Sequence, residues 1–394
     1  MASTFQELFT KTSWADAASA IRRTTGRDVE RALDRSGTGG LEDFIALVSP
    51  AASGYLEPMA KLSHEITRRR FGDVVRLFAP MYLSNECNNI CDYCGFSLTN
   101  DTPRKTLTPV EILAEAGALR EQGFEHVLLV TGEHSRSVGC NYLADALRLL
   151  RPHFANLSME VQPLCVKEYE SLVAEGLHAV LVYQETYNPE SYSFHHPKGR
   201  KRDMAWRLET PDRLGAAGIR KIGLGCLYGL TPDWRTDAFF SALHLDYLER
   251  RFWRSTFSMS FPRLRPHEGE ARPEAFLSDS DLVQLICAFR IFDHELELSL
   301  STRESPVFRD NAFRIGITTM STGSSTEPGG YANADGEKNL EQFSISDERS
   351  PAEFSAMVSA SGYEPVWKDW DFSYDCFSPD ESSSSEPCSL QLAG

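Results

Sequence analysis

The sequence predicts an α/β fold: a TIM-type (β/α)8 barrel with an N-terminal helical extension and an acidic C-terminal extension. Short β-rich apolar runs alternate with stretches of helical periodicity, and this alternation implies that the strands pair in parallel. Several runs are continuously apolar, which suits a sheet that is buried on both faces. Eight strand–helix units fit within about 250 residues, the usual size of such a barrel. The count of eight favours a barrel over a doubly wound open sheet.

Each predicted strand is a short run rich in apolar side chains. The eight runs are Leu77–Leu83, His126–Thr131, Ser158–Gln162, Ala179–Tyr183, Lys221–Cys226, Thr256–Phe261, Leu296–Ser301 and Ile315–Met320. The predicted helices between them are Pro109–Gln122, Tyr142–Leu150, Lys167–Glu175, Met204–Ala217, Asp237–Arg250 and Asp279–Phe292. In a barrel of this kind the reactive groups lie just after the C-terminal ends of the strands. The residues that follow each run are therefore the candidates for function.

The chain divides into four predicted segments. Residues 1–75 form an N-terminal helical segment, because apolar side chains recur there at helical spacing, as in Phe5–Leu8 and Val29–Leu33. Residues 76–325 form the barrel. Residues 326–377 form a C-terminal extension that we expect to pack on the barrel. Residues 378–394 are a Ser-rich tail that we expect to be disordered.

The charge of the chain is strongly acidic. Its 394 residues include 56 acidic and 40 basic side chains, a formal net charge of −16. We expect no nucleic-acid partner, because proteins that bind nucleic acid usually carry a basic surface. Residues 332–394 hold thirteen acidic and three basic residues, a charge of −10, so only −6 belongs to the first 331 residues. The acidity is concentrated in the C-terminal extension.

Membrane and secreted classes are also disfavoured. No apolar run approaches the roughly 18 residues that span a bilayer, and the first residues lack the apolar centre of a signal peptide. The nine cysteines are an odd number, which does not suit a secreted disulfide framework. We expect a cytoplasmic protein without a membrane partner, whose thiols are free, metal-bound or catalytic.

Three cysteines cluster directly after the first predicted strand. Cys87, Cys91 and Cys94 fall within eight residues. Thiolates are good ligands for zinc and for iron–sulfur clusters. A structural zinc site needs four ligands, and no fourth cysteine or histidine lies close by in the sequence. A distant residue could complete a zinc site; otherwise three thiolates leave one position of the metal centre open for chemistry.

Polar residues follow the second and fourth predicted strands. Gly132 allows a ligand to approach the backbone and Glu133 can pair with an ammonium group, although a simple turn is the alternative. Glu185 can accept hydrogen bonds from ribose hydroxyls or form a salt bridge at the rim. Arg207, on the following helix, suits a carboxylate ligand or a surface ion pair.

The last two strands offer a second group of polar residues. Arg303 follows Ser301 by two residues, so both lie on the same face of the chain, and Ser321 ends the eighth strand. A guanidinium beside a hydroxyl is suited to hold the carboxylate of an amino acid. A salt bridge between Arg303 and an acid at the barrel rim is the alternative.

The CxxxCxxC spacing, with Tyr93 before the last cysteine, resembles the radical S-adenosylmethionine superfamily. The resemblance implies that Cys87, Cys91 and Cys94 hold a 4Fe–4S cluster, and that S-adenosyl-L-methionine binds its remaining iron and yields a deoxyadenosyl radical. Thr131 departs from the superfamily's GGE motif, which has glycine in its place. The cofactor contacts that the resemblance implies are Tyr93, Gly132, Glu133, Glu185 and Arg207.

Longer strings between residues 49 and 371 resemble the tyrosine lyases of thiamin thiazole biosynthesis. They include SPAASGYLE (49–57), LVTGEH (129–134), RLETPDRL (207–214), SFPRLRP (260–266) and VWKDWD (366–371). The resemblance implies cleavage of the Cα–Cβ bond of L-tyrosine to 2-iminoacetate (dehydroglycine) and p-cresol. It implies that Tyr82 lies at the substrate as a candidate proton acceptor, with a core aromatic as the alternative. It also implies that Ser301, Arg303 and Ser321 bind the substrate's carboxylate or amine.

Three alternative functions remain. The hydrogenase-maturation tyrosine lyase carries a second, C-terminal cluster site with a CxxC, whereas only Cys376 and Cys388 follow Cys287 here. A tryptophan lyase would need a pocket that the sequence does not reveal. A non-catalytic metal-binding interaction module would explain the cysteines but not the polar strand ends. The favoured function implies thiazole synthase as a partner, and flavodoxin or ferredoxin as the reductant.

Overall fold

A computed structural model describes residues 4–264, 277–332 and 341–368 of the chain. The predicted Ser-rich tail, residues 378–394, lies outside the described residues. Five helices open the chain, and they are α1 (Phe5–Lys11), α2 (Trp14–Arg23), α3 (Gly26–Asp34), α4 (Leu41–Val48) and α5 (Leu56–Phe71). Thr4 and Ser13 cap the first two helices by accepting hydrogen bonds from backbone N–H groups. Gly72 ends α5 at a φ of 68°, a conformation that glycine adopts without steric cost.

Eight parallel strands follow and close into a barrel, which confirms the predicted fold class. They are β1 (Val74–Ser84), β2 (His126–Thr131), β3 (Asn156–Glu160), β4 (Ala179–Leu181), β5 (Lys221–Gly225), β6 (Thr256–Ser260), β7 (Glu297–Leu300) and β8 (Thr319–Ser321). Each strand pairs with the next in the sequence, and β1 pairs with both β2 and β8. Closure brings all eight C-terminal strand ends to one rim.

Helices surround the barrel. They are α6 (Pro109–Glu121), α7 (Cys140–Leu150), α8 (Val166–Ala174), α9 (Pro189–His195), α10 (Met204–Leu208), α11 (Thr210–Ala216), α12 (Trp234–Arg251), α13 (Asp279–Phe292) and α14 (Pro306–Ala312). The helix predicted over 204–217 is in fact two helices, α10 and α11. Pro211 lies in the first turn of α11, where its missing N–H costs nothing, whereas it would interrupt a continuous helix.

The eighth predicted strand began too early. Residues Phe313–Ile315 form a 3-10 turn, and Gly316 follows with a φ of 141°. The apolar run across this region packs in the core, but the glycine conformation separates the turn from the strand. The strand itself therefore begins at Thr319.

Two glycines in β5 make room inside the barrel. A Cβ on Gly223 would lie 2.5 Å from the Leu181 side chain, and one on Gly225 would lie 2.7 Å from the Tyr183 ring. Both distances are shorter than carbon contacts allow, so glycine is needed for the side chains of the neighbouring strand end to turn into the barrel. The Gly-rich segment thus serves packing within the barrel.

The C-terminal part of the chain returns to the barrel. Helix α15 (Pro351–Ala360) leads to strand β9 (Glu364–Val366), which pairs in parallel with the first residues of β1. Asp347 is fully buried and pairs with Arg309 and Arg349. The backbone of Ser346 and Asp347 donates to the carbonyl of Thr302, so this segment is fixed beside the end of β7. Among the described residues, no helix combines the length and apolar character that a bilayer span requires.

Replacing Asp347 by alanine should strongly destabilise the fold. The change leaves the buried Arg309 guanidinium without its carboxylate, whereas Arg349 still pairs with Asp310, and breaking a buried ion pair costs about 3–5 kcal/mol. Asp145→Ala is the matched control, because Asp145 pairs with Arg148 at the surface with its side chain 67% exposed; its effect should stay within about 0.5 kcal/mol. Chemical denaturation of both variants measures the difference. Equal losses would show that the Asp347 pair does not anchor the segment.

Candidate active site

One cavity with two lobes lies at the C-terminal ends of the strands. The cysteine lobe spans about 820 Å³ and the inner lobe about 710 Å³, and part of this space is open to solvent. All twelve residues that the sequence predicts for the site line this cavity. The cysteine lobe contains Cys87, Cys91, Tyr93, Cys94, Gly132, Glu133, Glu185 and Arg207. The inner lobe contains Tyr82, Ser301, Arg303 and Ser321.

The loop that carries the cysteines is held by a buried network of backbone contacts. It begins directly after β1. The Arg104 guanidinium donates to the carbonyls of Asn85, Phe96 and Ser97 at 2.7–2.9 Å. The Asn85 side chain in turn accepts from the Lys105 backbone N–H at 2.7 Å. Both ends of the loop are therefore fixed to each other, which sets the positions of the three thiols.

The three thiols line the same lobe of the cavity. A donor set of cysteine thiolates fits an iron–sulfur cluster. Burial and the nearby Glu133 raise the pKa of Cys87 to about 11. The thiolate form that binds metal therefore depends on the metal's own positive charge.

Gly132 lies against the cysteine loop. A Cβ at this position would lie 2.2 Å from the carbonyl oxygen of Glu86 and 3.2 Å from the Cβ of Cys87. The Gly132 N–H donates to the carbonyl of Ser84 at 2.9 Å. The end of β2 and the start of the loop thus touch through backbone atoms, and a side chain at residue 132 would push the first cysteine away.

A buried network of four charges forms the wall of the cysteine lobe. Arg207 pairs with Glu133 at 2.8 Å and with Glu185 at 3.4 Å, and Lys201 pairs with Glu185 at 2.6 Å. Burial acts to raise the pKa of Glu133, but Arg207 and Lys201 outweigh it and lower the pKa. Burial acts to lower the pKa of Lys201, but Glu185 and other negative groups raise it. The two negative and two positive charges of this network cancel, so its net charge is zero.

The backbone at Glu185 is unusual. Among the described residues it is the only one other than glycine with a positive φ, 69°. Such conformations cost about 1–3 kcal/mol and cluster at functional sites. The Glu185 carbonyl accepts from the Leu227 N–H at 2.9 Å. This bond and the two ion pairs hold the side chain in the lobe.

The inner lobe contains a half-buried cation that has no carboxylate partner among the described residues. The Arg303 guanidinium lies 3.3 Å from the centre of the Phe343 ring, and no described acid lies within ion-pair distance of it. Burial lowers the pKa of Arg303. Ser301 and Ser321 line the same lobe. Ser321 is engaged in the fold, because its hydroxyl accepts from the Thr302 N–H at 3.2 Å.

Glu160 lies at the junction of the lobes. It ends β3, pairs in register with Val130 and lines both lobes. Its carboxylate makes no hydrogen bond or ion pair with a described residue. Burial, followed by the nearby Glu185, raises the pKa of Glu160 to about 7, although Arg303 acts in the opposite direction. At neutral pH this carboxyl group can both accept and release a proton.

Tyr82 and the C-terminal segment connect the two lobes. The Tyr82 hydroxyl donates to Gln342 Oε1 at 2.8 Å, and Gln342 Nε2 donates to Cys94 Sγ at 3.7 Å. Burial and the nearby Glu160 raise the pKa of Tyr82 well above its ordinary value. The hydroxyl is thus protonated and acts as a donor. Its assignment as a proton acceptor stays a prediction.

Sequence reasoning did not name several further residues that line the cavity, among them Asn89, Glu160, Lys201 and Gln342. Glu160 ends β3 in the structure but lies in the middle of the predicted strand Ser158–Gln162, so a search after the predicted strand ends did not find it. Lys201 is one of four basic residues between 198 and 202, so its inward direction leaves no signal. Gln342 comes from the C-terminal extension, whose path over the barrel follows no sequence pattern.

Comparison with known proteins assigns the chain to a family. Residues 81–241 match the Radical SAM superfamily, and residues 260–364 match the Biotin and Thiamin Synthesis associated domain. The chain is 51% identical to the 2-iminoacetate synthase of Escherichia coli (strain K12) over 368 residues, 93% of this chain and 97% of the relative. The chain belongs to the 2-iminoacetate synthase family. It is therefore a radical S-adenosylmethionine lyase.

Solved structures agree with this family. The FeFe-hydrogenase maturase HydG from Carboxydothermus hydrogenoformans is similar, with 29% identity, a TM-score of 0.83, and coverage of 93% of this chain and 86% of that one. Methylornithine synthase (PylB) has 19% identity and a TM-score of 0.68, with coverage of 86% and 97%. The second likeness concerns the fold alone. The identity to the 2-iminoacetate synthase is clearly higher than that to HydG.

Gly132→Ala should reduce cluster binding in this member of the 2-iminoacetate synthase family. The added methyl group meets the Glu86 carbonyl, so the first cysteine must move. We expect less than half of the wild-type iron and sulfide per chain after anaerobic reconstitution. Gly117→Ala is the control, because no atom lies within 4 Å of its added Cβ, and it should leave the iron content unchanged. Full iron content in Gly132→Ala would contradict the role of this contact.

Proposed function

We propose that the chain cleaves the Cα–Cβ bond of L-tyrosine to give 2-iminoacetate and p-cresol. Removal of one hydrogen atom from the amine leaves a radical that divides into 2-iminoacetate and a 4-hydroxybenzyl radical. One electron and one proton then convert the benzyl radical into p-cresol. The atoms balance, because tyrosine without that hydrogen equals the sum of the two fragments. Two findings support this function. The chain belongs to the 2-iminoacetate synthase family, and the lobe that contains the cysteines adjoins a lobe that contains an arginine.

The observation that carries the proposal is Arg303, a half-buried guanidinium in the inner lobe that has no carboxylate partner among the described residues. An amino acid supplies that partner, since its carboxylate fits the two-pronged guanidinium. Phe343 fixes the Arg303 plane, and Ser301 adds a hydroxyl on the same side. With the carboxylate held there, the amine of the substrate points to the junction of the lobes.

The cysteine lobe suits a 4Fe–4S cluster and S-adenosyl-L-methionine. Cys87, Cys91 and Cys94 are the cluster ligands that we propose. When bound, the two cofactors supply the one-electron chemistry that removes a hydrogen atom from the substrate. The four-charge network is neutral without a ligand, and the methionine part of the cofactor adds one ammonium and one carboxylate. Glu133 is suited to the ammonium and Arg207 to the carboxylate.

The remaining cofactor contacts concern the adenosyl part. Glu185 is suited to accept hydrogen bonds from ribose hydroxyls, and its strained backbone fixes its direction. Gly132 lines the same lobe, where only its backbone is available to contact the ligand. Tyr93 is held by a hydrogen bond of 2.7 Å between its hydroxyl and His196 Nε2. Its ring therefore forms a fixed part of the lobe wall.

Glu160 is the group that we propose to handle the substrate's proton. The ammonium of bound tyrosine must lose a proton before a hydrogen atom can leave the neutral amine. Glu160 lies at the junction that the amine faces, and its pKa of about 7 matches this task. After cleavage the same carboxyl group can return the proton to the benzyl carbon. Tyr82 then serves as a hydrogen-bond donor that keeps Gln342 beside Cys94.

Two protein partners follow from the proposed chemistry. The product imine hydrolyses readily, so direct transfer to a thiazole synthase would protect it. Each turnover consumes electrons, so flavodoxin or ferredoxin is the expected reductant. A cytoplasmic location suits both partners.

The decisive assay is anaerobic incubation with dithionite, S-adenosyl-L-methionine and either tyrosine or tryptophan. We expect p-cresol and glyoxylate, the hydrolysis product of the imine, from tyrosine only and without carbon monoxide. Carbon monoxide would indicate the hydrogenase-maturation chemistry, and a product from tryptophan would indicate the tryptophan lyase. Arg303→Gln should raise the KM for tyrosine by about thirtyfold or more and leave the KM for S-adenosyl-L-methionine unchanged. An unchanged tyrosine KM would contradict the role of Arg303.

Glu160→Gln should lower kcat by about 100- to 10,000-fold, as expected for loss of a general base. In the wild type, Glu160 is protonated below its pKa of about 7, so kcat should fall as the pH falls through this value. The glutamine variant should lose this pH dependence while its tyrosine KM stays within a few-fold of wild type, because the shape of the side chain is kept. A wild-type pH profile in the variant would exclude Glu160 as the acceptor.

A further inference from the structure

Residues 194–202 form a segment, which we call the basic cover, that lies against the cysteine loop. The Ile90 N–H donates to the Lys198 carbonyl at 3.1 Å, and the Lys201 N–H donates to Asn89 Oδ1 at 3.0 Å. Gly199 has a φ of 91°, and a Cβ there would lie 2.1 Å from Asn89 Oδ1. The cover therefore touches the backbone between the first two cluster cysteines, without space for water or another side chain.

The outer side of the basic cover is positively charged. Lys198, Arg200 and Arg202 are exposed, whereas Lys201 turns inward to Glu185. Arg200 stacks on the Trp206 ring at 4.5 Å, which fixes its direction. The neighbouring acid Asp203 is engaged at the start of α10, where it accepts from the Trp206 N–H at 3.0 Å. Residues 198–203 thus present three exposed cations and one exposed acid, a local excess of positive charge on a chain whose formal net charge is −16.

An exposed aromatic residue adjoins these cations. Phe194 lies in the same segment with 70% of its surface exposed. Its ring packs edge-on against His195, whose Nδ1 lies 2.9 Å from Asp92 Oδ1 in the cysteine loop. Exposed aromatic side chains are enriched in surfaces that bind another protein. Phe194 is thereby connected, through His195 and Asp92, to the loop that carries Cys91 and Cys94.

We propose that the basic cover is the docking surface for an acidic one-electron carrier protein. This inference rests on the proposed function, because a reducible cluster must receive its electrons through the adjacent surface. Electron transfer slows steeply with distance, and the cover lies directly over the cysteine loop. The acidic remainder of the chain repels an acidic carrier, whereas the cover attracts it, so the charge pattern orients the encounter. Redox partners commonly bind through small, transient interfaces of this kind.

Reduced flavodoxin and dithionite separate docking from chemistry. Dithionite is a small reductant that needs no docking surface. Lys198→Glu/Arg202→Glu reverses two exposed charges and leaves Arg200, Lys201 and the cluster ligands in place. The readout is the ratio of the p-cresol rate with limiting flavodoxin to the rate with dithionite, so that any loss of active enzyme cancels. Arg22→Glu/Arg23→Glu, at the exposed end of α2, reverses the same charge elsewhere.

We expect the ratio to fall by about tenfold or more in the Lys198/Arg202 variant at low salt, and to stay within twofold of wild type in the Arg22/Arg23 variant. The difference should disappear at about 1 M salt, where the screening length is about 3 Å. An unchanged ratio in the first variant, or an equal fall in both, would overturn the docking proposal. Wild-type protein that forms no p-cresol with dithionite would instead overturn the proposed function.

Discussion

The buried network of Glu133, Glu185, Lys201 and Arg207 is the interaction on which the candidate site depends. Four charges in a protein interior are tolerated only when they pair closely, so each of the chain segments that supplies one must stay in place. The network joins the end of β2, the end of β4, the basic cover and α10. Two of these segments contact the cysteine loop directly: the end of β2 through Gly132, and the basic cover through Gly199, which lies against Asn89. A change in one of them therefore affects the cluster site and the cofactor site together.

The second constraint is the closure of the barrel, which brings eight strand ends to one rim. Because of it, residues as distant in sequence as Tyr82, Glu160 and Arg303 line a single cavity. The C-terminal segment completes the cavity from outside the barrel, with Gln342 and Phe343 held in place by the buried Asp347. The cysteine lobe and the inner lobe therefore share the junction at which the proposed substrate amine meets the cofactors.

Sequence reasoning located the fold and most of this site because strand ends follow simple rules. The eight apolar runs predicted eight strands. The three clustered cysteines and the predicted residues after β2, β4 and β7 all line the cavity. It failed where direction depends on tertiary contacts. Lys201 turns inward because Glu185 accepts from its side chain and Asn89 from its backbone N–H, and the sequence carries no signal for either contact. Pro211 signals the break between α10 and α11. The prediction followed the helical periodicity, which continues across the break, and therefore gave one helix.

The central claim is that one cavity holds the substrate and the cofactors on opposite sides of a shared junction. The most direct measurement is a crystal structure of the reconstituted protein with S-adenosyl-L-methionine and L-tyrosine. The account predicts the tyrosine carboxylate on the Arg303 guanidinium, and the tyrosine nitrogen between Glu160 and the adenosyl group. A tyrosine bound with its carboxylate away from Arg303, or with its nitrogen turned away from the cysteine lobe, would contradict it.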